Sequence, residues 1–166
     1  MGFALRRFAV FGLVTLVVSW LVAGCGGNPP APEAPRLPLA ITITAEAGLN
    51  PDLNGRPSPV TVAILQLKSA EAFAKADYFA IFDPANITLA AEIIGRETLT
   101  LQPGEQRTLK LQALPEARFL GVAAAYRDIE RATWLVVAPL GEVAAGDKAG
   151  SAKISLSASA VSATVN

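Results

Sequence analysis

Residues 41–46, ITITAE, alternate Ile41 and Ile43 with Thr42 and Thr44, the period of a strand with one buried face. PVTVAILQLK (59–68) is apolar in both phases through its middle, which predicts a central strand covered on both sides. ETLTLQ (97–102) and RTLKLQ (107–112) put Leu99, Leu101, Leu109 and Leu111 on matching faces. Between them, Pro103 presets φ and Gly104 accepts a positive φ, so the pair predicts a hairpin. RFLGVAAAYRD (118–128) and TWLVVAPL (133–140) predict two further strands, apolar on both faces, with Ile129, Glu130 and Arg131 in the connection. Tyr126 and Trp134 lie in these apolar strands and are expected in the core or on a sheet face. KISLSASAVSATV (153–165) alternates Ile154, Leu156, Ala158 and Ala160 with serines, then shifts phase at Val161. That shift predicts a bulge or a bend.

Only residues 68–95 break the strand pattern. Ser69 can cap a helix and Glu71 suits its first turn. SAEAFAKADYFAIF has no β-branched residue until Ile81, and Asp83-Pro84 stops it. Asn86 can cap a second short helix, with Leu89 and Ile93 on one side and Gly95 at its end. The order is two strands, a helical insertion and five strands. Short antiparallel strands with regular turn signals predict a mainly β fold, a β-sandwich carrying a small helical insertion.

The N-terminus follows another logic. Arg6 and Arg7 precede an apolar stretch from Ala9 to Ala23 that is 15 residues long. A membrane-spanning helix needs about 20. A basic start, a short apolar region and small residues make a secretory signal pattern over residues 1–24. Val22-Ala23-Gly24-Cys25 resembles the lipobox of bacterial lipoproteins, which implies that Cys25, the only cysteine, is acylated and becomes the mature N-terminus. Three acyl chains, as in such lipoproteins, would anchor it durably, since each buried CH₂ contributes about 0.8 kcal/mol. Gly26 stands where Asp commonly signals inner-membrane retention, so the analogy favours the outer membrane. GGNPPAPEAPRLP (26–38) contains five prolines and two glycines. It is expected to be an extended spacer reaching roughly 40 Å.

Residues 39–166 are enough for one domain with its own core. Without residues 1–24 the chain has 12 basic and 14 acidic residues, a formal charge of −2. No basic stripe points to nucleic acid. The sequence has no histidine, which excludes His-based triads and imidazole metal ligands. Neither GxGxxG nor GxxxxGK[ST] occurs. Asp128 and Glu130, with Glu116 nearby in sequence, are the carboxylates a hydrolase could use, but they read as solvated loop charges. A binding or structural module without a cofactor or metal fits this chemistry. One alternative is a periplasmic lipoprotein holding a small ligand or glycan, which would need a concave apolar pocket.

AGLNPDLNGRPSPVTVAILQLKSAEAFAKADYF (47–79) resembles the TssJ family, also called VasD or SciN, the lipoproteins of the type VI secretion system. LQPGE (101–105), FLGVAAAYRD (119–128) and Trp134 follow in the family's order. The resemblance spans about Ile41 to Leu140. Ala63 and Leu65 depart from it, since the family often carries Arg and an aromatic there. The resemblance implies a transthyretin-like sandwich without catalysis, on the periplasmic face of the outer membrane. It also implies binding to the periplasmic C-terminal region of TssM, with TssL in the same complex.

The segment GLNPDLNGRPSP (48–59) is rich in turn formers and longer than the usual hairpin loop. In the family the corresponding loop helps contact TssM. Asn50, Pro51, Asp52, Asn54 and Arg56 are therefore the expected partner-binding residues, with Pro51, Pro57 and Pro59 stiffening the loop.

Overall fold

The structure, a computed structural model, describes residues 36–166 apart from Pro84 and Asp147. The expected signal peptide, Cys25 and all but the last three residues of the spacer lie outside the described residues.

Eight strands form two four-stranded sheets. The first has the order β4-β1-β7-β8, built from β1 (Leu37–Ala45), β4 (Gln106–Ala113), β7 (Gly150–Leu156) and β8 (Val161–Val165). The second has the order β3-β2-β5-β6, built from β2 (Val60–Leu67), β3 (Ile93–Leu101), β5 (Phe119–Ala124) and β6 (Leu135–Pro139). The architecture is the expected β-sandwich. Its pairs are antiparallel except one: β1 and β7 run parallel, with Ile43 opposite Ile154.

The core follows from the alternation. Leu39, Ile41, Ile43 and Ala45 of β1 face inward beside Ala152, Ile154 and Leu156 of β7. Val60, Val62 and Ile64 of β2 meet them from the other sheet. β1 begins at Leu37, two residues before the expected start of the domain. Gln66 occupies the next position along β2 and is buried. Its Nε2 donates to the Gln112 carbonyl at 2.9 Å and its Oε1 accepts from the Leu114 N–H at 2.8 Å, joining the two sheets at one edge.

β2 is central and buried on both faces, as its apolar run predicts. Ala63, Leu65 and Leu67 point away from the sandwich core into a second cluster with Phe73, Ile81 and Leu89 of the insertion. Ala63 and Leu65, where the sequence departs from the family pattern, thus lie beneath the insertion. Burying a side chain such as Phe73 contributes roughly 1.5–3 kcal/mol. Gly121 makes this approach possible, because a Cβ there would lie 2.7 Å from Phe73 Cε1.

Several local expectations are corrected. The helix expected from Ser69 is two short ones, α1 (Glu71–Ala74) and α2 (Tyr78–Phe82). Ser69 Oγ accepts only a 3.3 Å bond from the Glu71 N–H. Asp77 interrupts the run by capping α2, its Oδ1 accepting from the Ala80 N–H at 2.8 Å. Asn86 starts a turn rather than a helix, accepting from the Thr88 N–H, and Gly95 lies within β3. Residues 97–112 are not a hairpin. β3 pairs with β2 and β4 pairs with β1, so the turn at Pro103–Glu105 carries the chain from one sheet to the other. Leu101 and Leu109 share a core from opposite sides, which alternation cannot distinguish from one face of a hairpin. The phase shift near Ala160 is a full reversal between β7 and β8, with Leu156 opposite Val161. A third short helix, α3 (Gly141–Ala145), was not expected. It ends at Gly146 with φ 80°.

Candidate functional site

Three connections converge at one end of the sandwich: the β1–β2 loop, the β5–β6 loop and the β7–β8 turn. The β1–β2 loop, like the turn at 103–105, crosses between sheets and is not a hairpin connection. Leu49 anchors it in the core, and the Ser58 N–H donates back to the Leu49 carbonyl at 2.9 Å.

Asn50 is the latch. It is only 3% exposed and adopts φ 47°, a left-handed conformation that Asn tolerates better than most residues. Its Nδ2 donates to the Pro59 carbonyl at 2.7 Å, and its Oδ1 accepts from the Arg127 N–H at 2.9 Å. Its own N–H donates to the Ala158 carbonyl at 3.2 Å. One residue therefore ties all three connections together.

Beyond the latch the loop closes on itself. The Asp52 N–H donates to the Arg56 carbonyl at 2.9 Å. Asp52 Oδ1 accepts from the N–H groups of Asn54 and Arg56, and its Oδ2 accepts from Arg56 Nε at 3.1 Å. The N–H of Arg56, followed by that of Asn54, holds the Asp52 carboxyl below its ordinary pKa. At the tip, Leu53 is fully exposed.

The other walls are held as firmly. The Tyr126 hydroxyl donates to the carbonyls of Ala160 at 2.7 Å and Ser157 at 3.2 Å, fastening the β7–β8 turn. Burial, with the charge of Glu46 second, pushes the Tyr126 phenol up. Thr133 extends this join, since its N–H donates to the Ser159 carbonyl and its carbonyl accepts from the Val161 N–H. Trp134, beside it, is partly buried and 6.4 Å from the Tyr78 ring.

These connections enclose a cleft of about 750 Å³, lined by Asp52, Leu53, Arg127, Asp128, Arg131 and Ser159 among others. Asp128 pairs with Arg131 at 2.8 Å. Glu116 is far from both carboxylates in this region. It pairs with Lys68 beyond the opposite end of β5. Among the described residues no group of three metal-capable side chains occurs.

Of the five expected contact residues, the structure exposes Pro51, Asn54 and Arg56, half-buries Asp52 and buries Asn50. Leu53, Arg127 and Arg131 were not singled out from sequence. A leucine among turn formers reads as a core anchor, and nothing in YRD says that the loop after β5 faces the loop after β1.

The family model described as "T6SS-SciN: Type VI secretion lipoprotein, VasD, EvfM, TssJ" matches residues 37–159. Comparison with curated proteins finds no match. Among solved structures, the T6SS lipoprotein TssJ1 from Pseudomonas aeruginosa is 33% identical, with a TM-score of 0.72 over 80% of this chain and 98% of that one. Lip from Serratia marcescens, a membrane-bound component of the type VI secretion system, is 24% identical and shares the fold, with a TM-score of 0.69 over 76% and 96% of the two chains. A chain in a structure described as the T6SS protein TssM C-terminal domain from EAEC is 32% identical, with a TM-score of 0.62 over 75% of this chain and 98% of that one. With its sandwich, its insertion and the match across its described domain, this chain belongs to the TssJ/VasD family of type VI secretion lipoproteins.

Proposed function

We propose that this protein is an outer-membrane lipoprotein, acylated at Cys25 and facing the periplasm, that holds the periplasmic C-terminal region of TssM in a complex that also contains TssL. Its role is structural and it catalyses no reaction. Partner contact falls on the β1–β2 loop through Pro51, Asp52, Asn54 and Arg56, while Asn50 keeps that loop in its bound shape.

One observation carries this reading. The chain enters β1 at Leu37, and the latched loop leaves β1 at Ala45, the strand's other end. Nine residues of strand span roughly 30 Å. A lipid at Cys25 tethers the first end, so the cleft end is free to reach away from the membrane. Membership of the family supports the same assignment, as does the likeness to a chain in a structure described for TssM. A loop already closed by hydrogen bonds loses little entropy on binding.

Two measurements test it. A palmitate analogue is expected to label the wild type and to leave Cys25→Ser unlabelled. Calorimetric titration of the full-length protein in detergent with the purified periplasmic domain of TssM is expected to give saturable binding. An unlabelled wild type would overturn the anchor, and absence of binding heat across several temperatures would overturn the partner.

A further inference from the structure

The cleft has an unbalanced inventory. Both oxygens of the Asp52 carboxylate are taken by Arg56 and the loop's own N–H groups. Asp128, the other lining carboxylate, is taken by Arg131. The Arg127 guanidinium has no carboxylate partner among the described residues, although its backbone N–H is held by Asn50. It is exposed in the cleft wall. Across from it, the Leu53 side chain stands wholly in solvent, on a tip closed by Asp52 and Arg56.

A leucine exposed on a closed loop and an arginine whose backbone is fixed by Asn50 thus line the same cleft. An apolar side chain presented by a closed loop gains by burial at a reduced ordering cost. An arginine with a free fork accepts a carboxylate through two parallel hydrogen bonds. We propose that the cleft receives a segment of the protein partner whose carboxylate pairs with Arg127, while Leu53 enters an apolar pocket on that partner. This rests on the reading of TssM as the partner. It adds the β5–β6 loop to the interface and states the chemistry the partner must offer.

The charge pair makes binding salt-dependent, since partly exposed ion pairs weaken as ionic strength rises. Leu53 contributes a salt-independent part. The two residues are therefore separable by experiment and not only by position.

The test titrates the full-length protein in detergent with the TssM periplasmic domain at two salt concentrations. Arg127→Glu and Leu53→Asp are each expected to weaken binding by at least about tenfold. Arg127→Gln is expected to weaken it less and to flatten its salt dependence. That variant keeps the backbone N–H that Asn50 accepts, so the fold has no reason to change. Lys153→Glu, on the outward face of β7, is expected to bind within about twofold of wild type. A lysine introduced for the matching TssM carboxylate is expected to restore binding to Arg127→Glu. Wild-type binding that Arg127→Gln leaves unchanged in strength and salt slope would overturn the proposal while leaving the partner in place. Failure of the wild type to bind would overturn the partner assignment itself.

Discussion

Asn50 accepts the backbone N–H of Arg127 at 2.9 Å across 77 positions of sequence, and through that bond the β1–β2 loop is set against the β5–β6 loop. Asn50, one of the five residues expected from sequence to touch a partner, is buried and holds the two loops together.

Asn50→Ala removes two buried side-chain bonds and places a less tolerant residue at positive φ. The Pro59 carbonyl and the Arg127 N–H lose a partner, which costs about 1–3 kcal/mol for each group left dry. With both groups left dry, denaturant unfolding is expected to show a loss of about 2–6 kcal/mol. Asn50→Gly relieves the backbone but not the lost bonds, so it is expected to fall between wild type and Asn50→Ala. An Asn50→Ala protein as stable as wild type would mean that water replaces both bonds.

Asp52 gives the loop an acid limit. Its carboxyl is held below the ordinary value of 3.8, first by the Arg56 N–H and then by that of Asn54. A depressed folded pKa stabilises the loop fully at pH values above the unfolded one, and that contribution is lost as pH falls through the folded value. NMR titration is expected to find the amides of Asn54 and Arg56 shifting together below pH 3.8. Asp52→Asn is expected to abolish that transition.

Gly121 sets how closely the insertion approaches β5. A Cβ there would lie 2.7 Å from Phe73 Cε1 and 2.8 Å from Leu67 Cδ1. Gly121→Ala is expected to cost about 1–3 kcal/mol by overpacking. Combining it with Phe73→Leu is expected to cost less than the sum of the two single changes, because the smaller side chain yields the space. A strictly additive pair in denaturant unfolding would show that the strain is relieved elsewhere.

The strands and their buried faces were legible because alternation reports burial directly. Ile41 and Ile43 read as one face of a strand, and the double apolar phase in the middle of residues 59–68 read as a strand covered twice. Which strands become neighbours was less legible. Leu101 and Leu109 obey the same pattern whether they pair in a hairpin or face each other across a core, so the crossing at Pro103–Glu105 stayed hidden. The loop at 48–59 stood out by its length and turn formers. Its division of labour did not, because Asn50 is bound to loops about 77 and 108 residues further along the chain. Sequence spacing carries no record of such a meeting.

That same crossing decides how the loop can be shortened. A tight turn replacing the whole segment between Ala45 and Val60 would have to join strands in different sheets, whose faces pack about 10 Å apart, and such a variant is expected not to fold. The tip is different. Asp52 and Arg56 are already paired through backbone, N–H to carbonyl, at 2.9 Å. Replacing Leu53-Asn54-Gly55 with Asn-Gly closes the same pair with a two-residue turn. Asn50, Leu49 and Ser58 remain, so the latch to Arg127 and Ala158 survives. Changing loop length by one residue alters closure entropy by well under about 0.6 kcal/mol, and thermal unfolding is expected to stay near wild type. The variant loses the Leu53 side chain and the Asp52 bond to the Asn54 N–H. Its affinity for the TssM periplasmic domain, measured by calorimetry, is expected to fall at least about tenfold. A normally folded variant that binds as tightly as wild type would move the interface off this tip and onto another part of the sandwich.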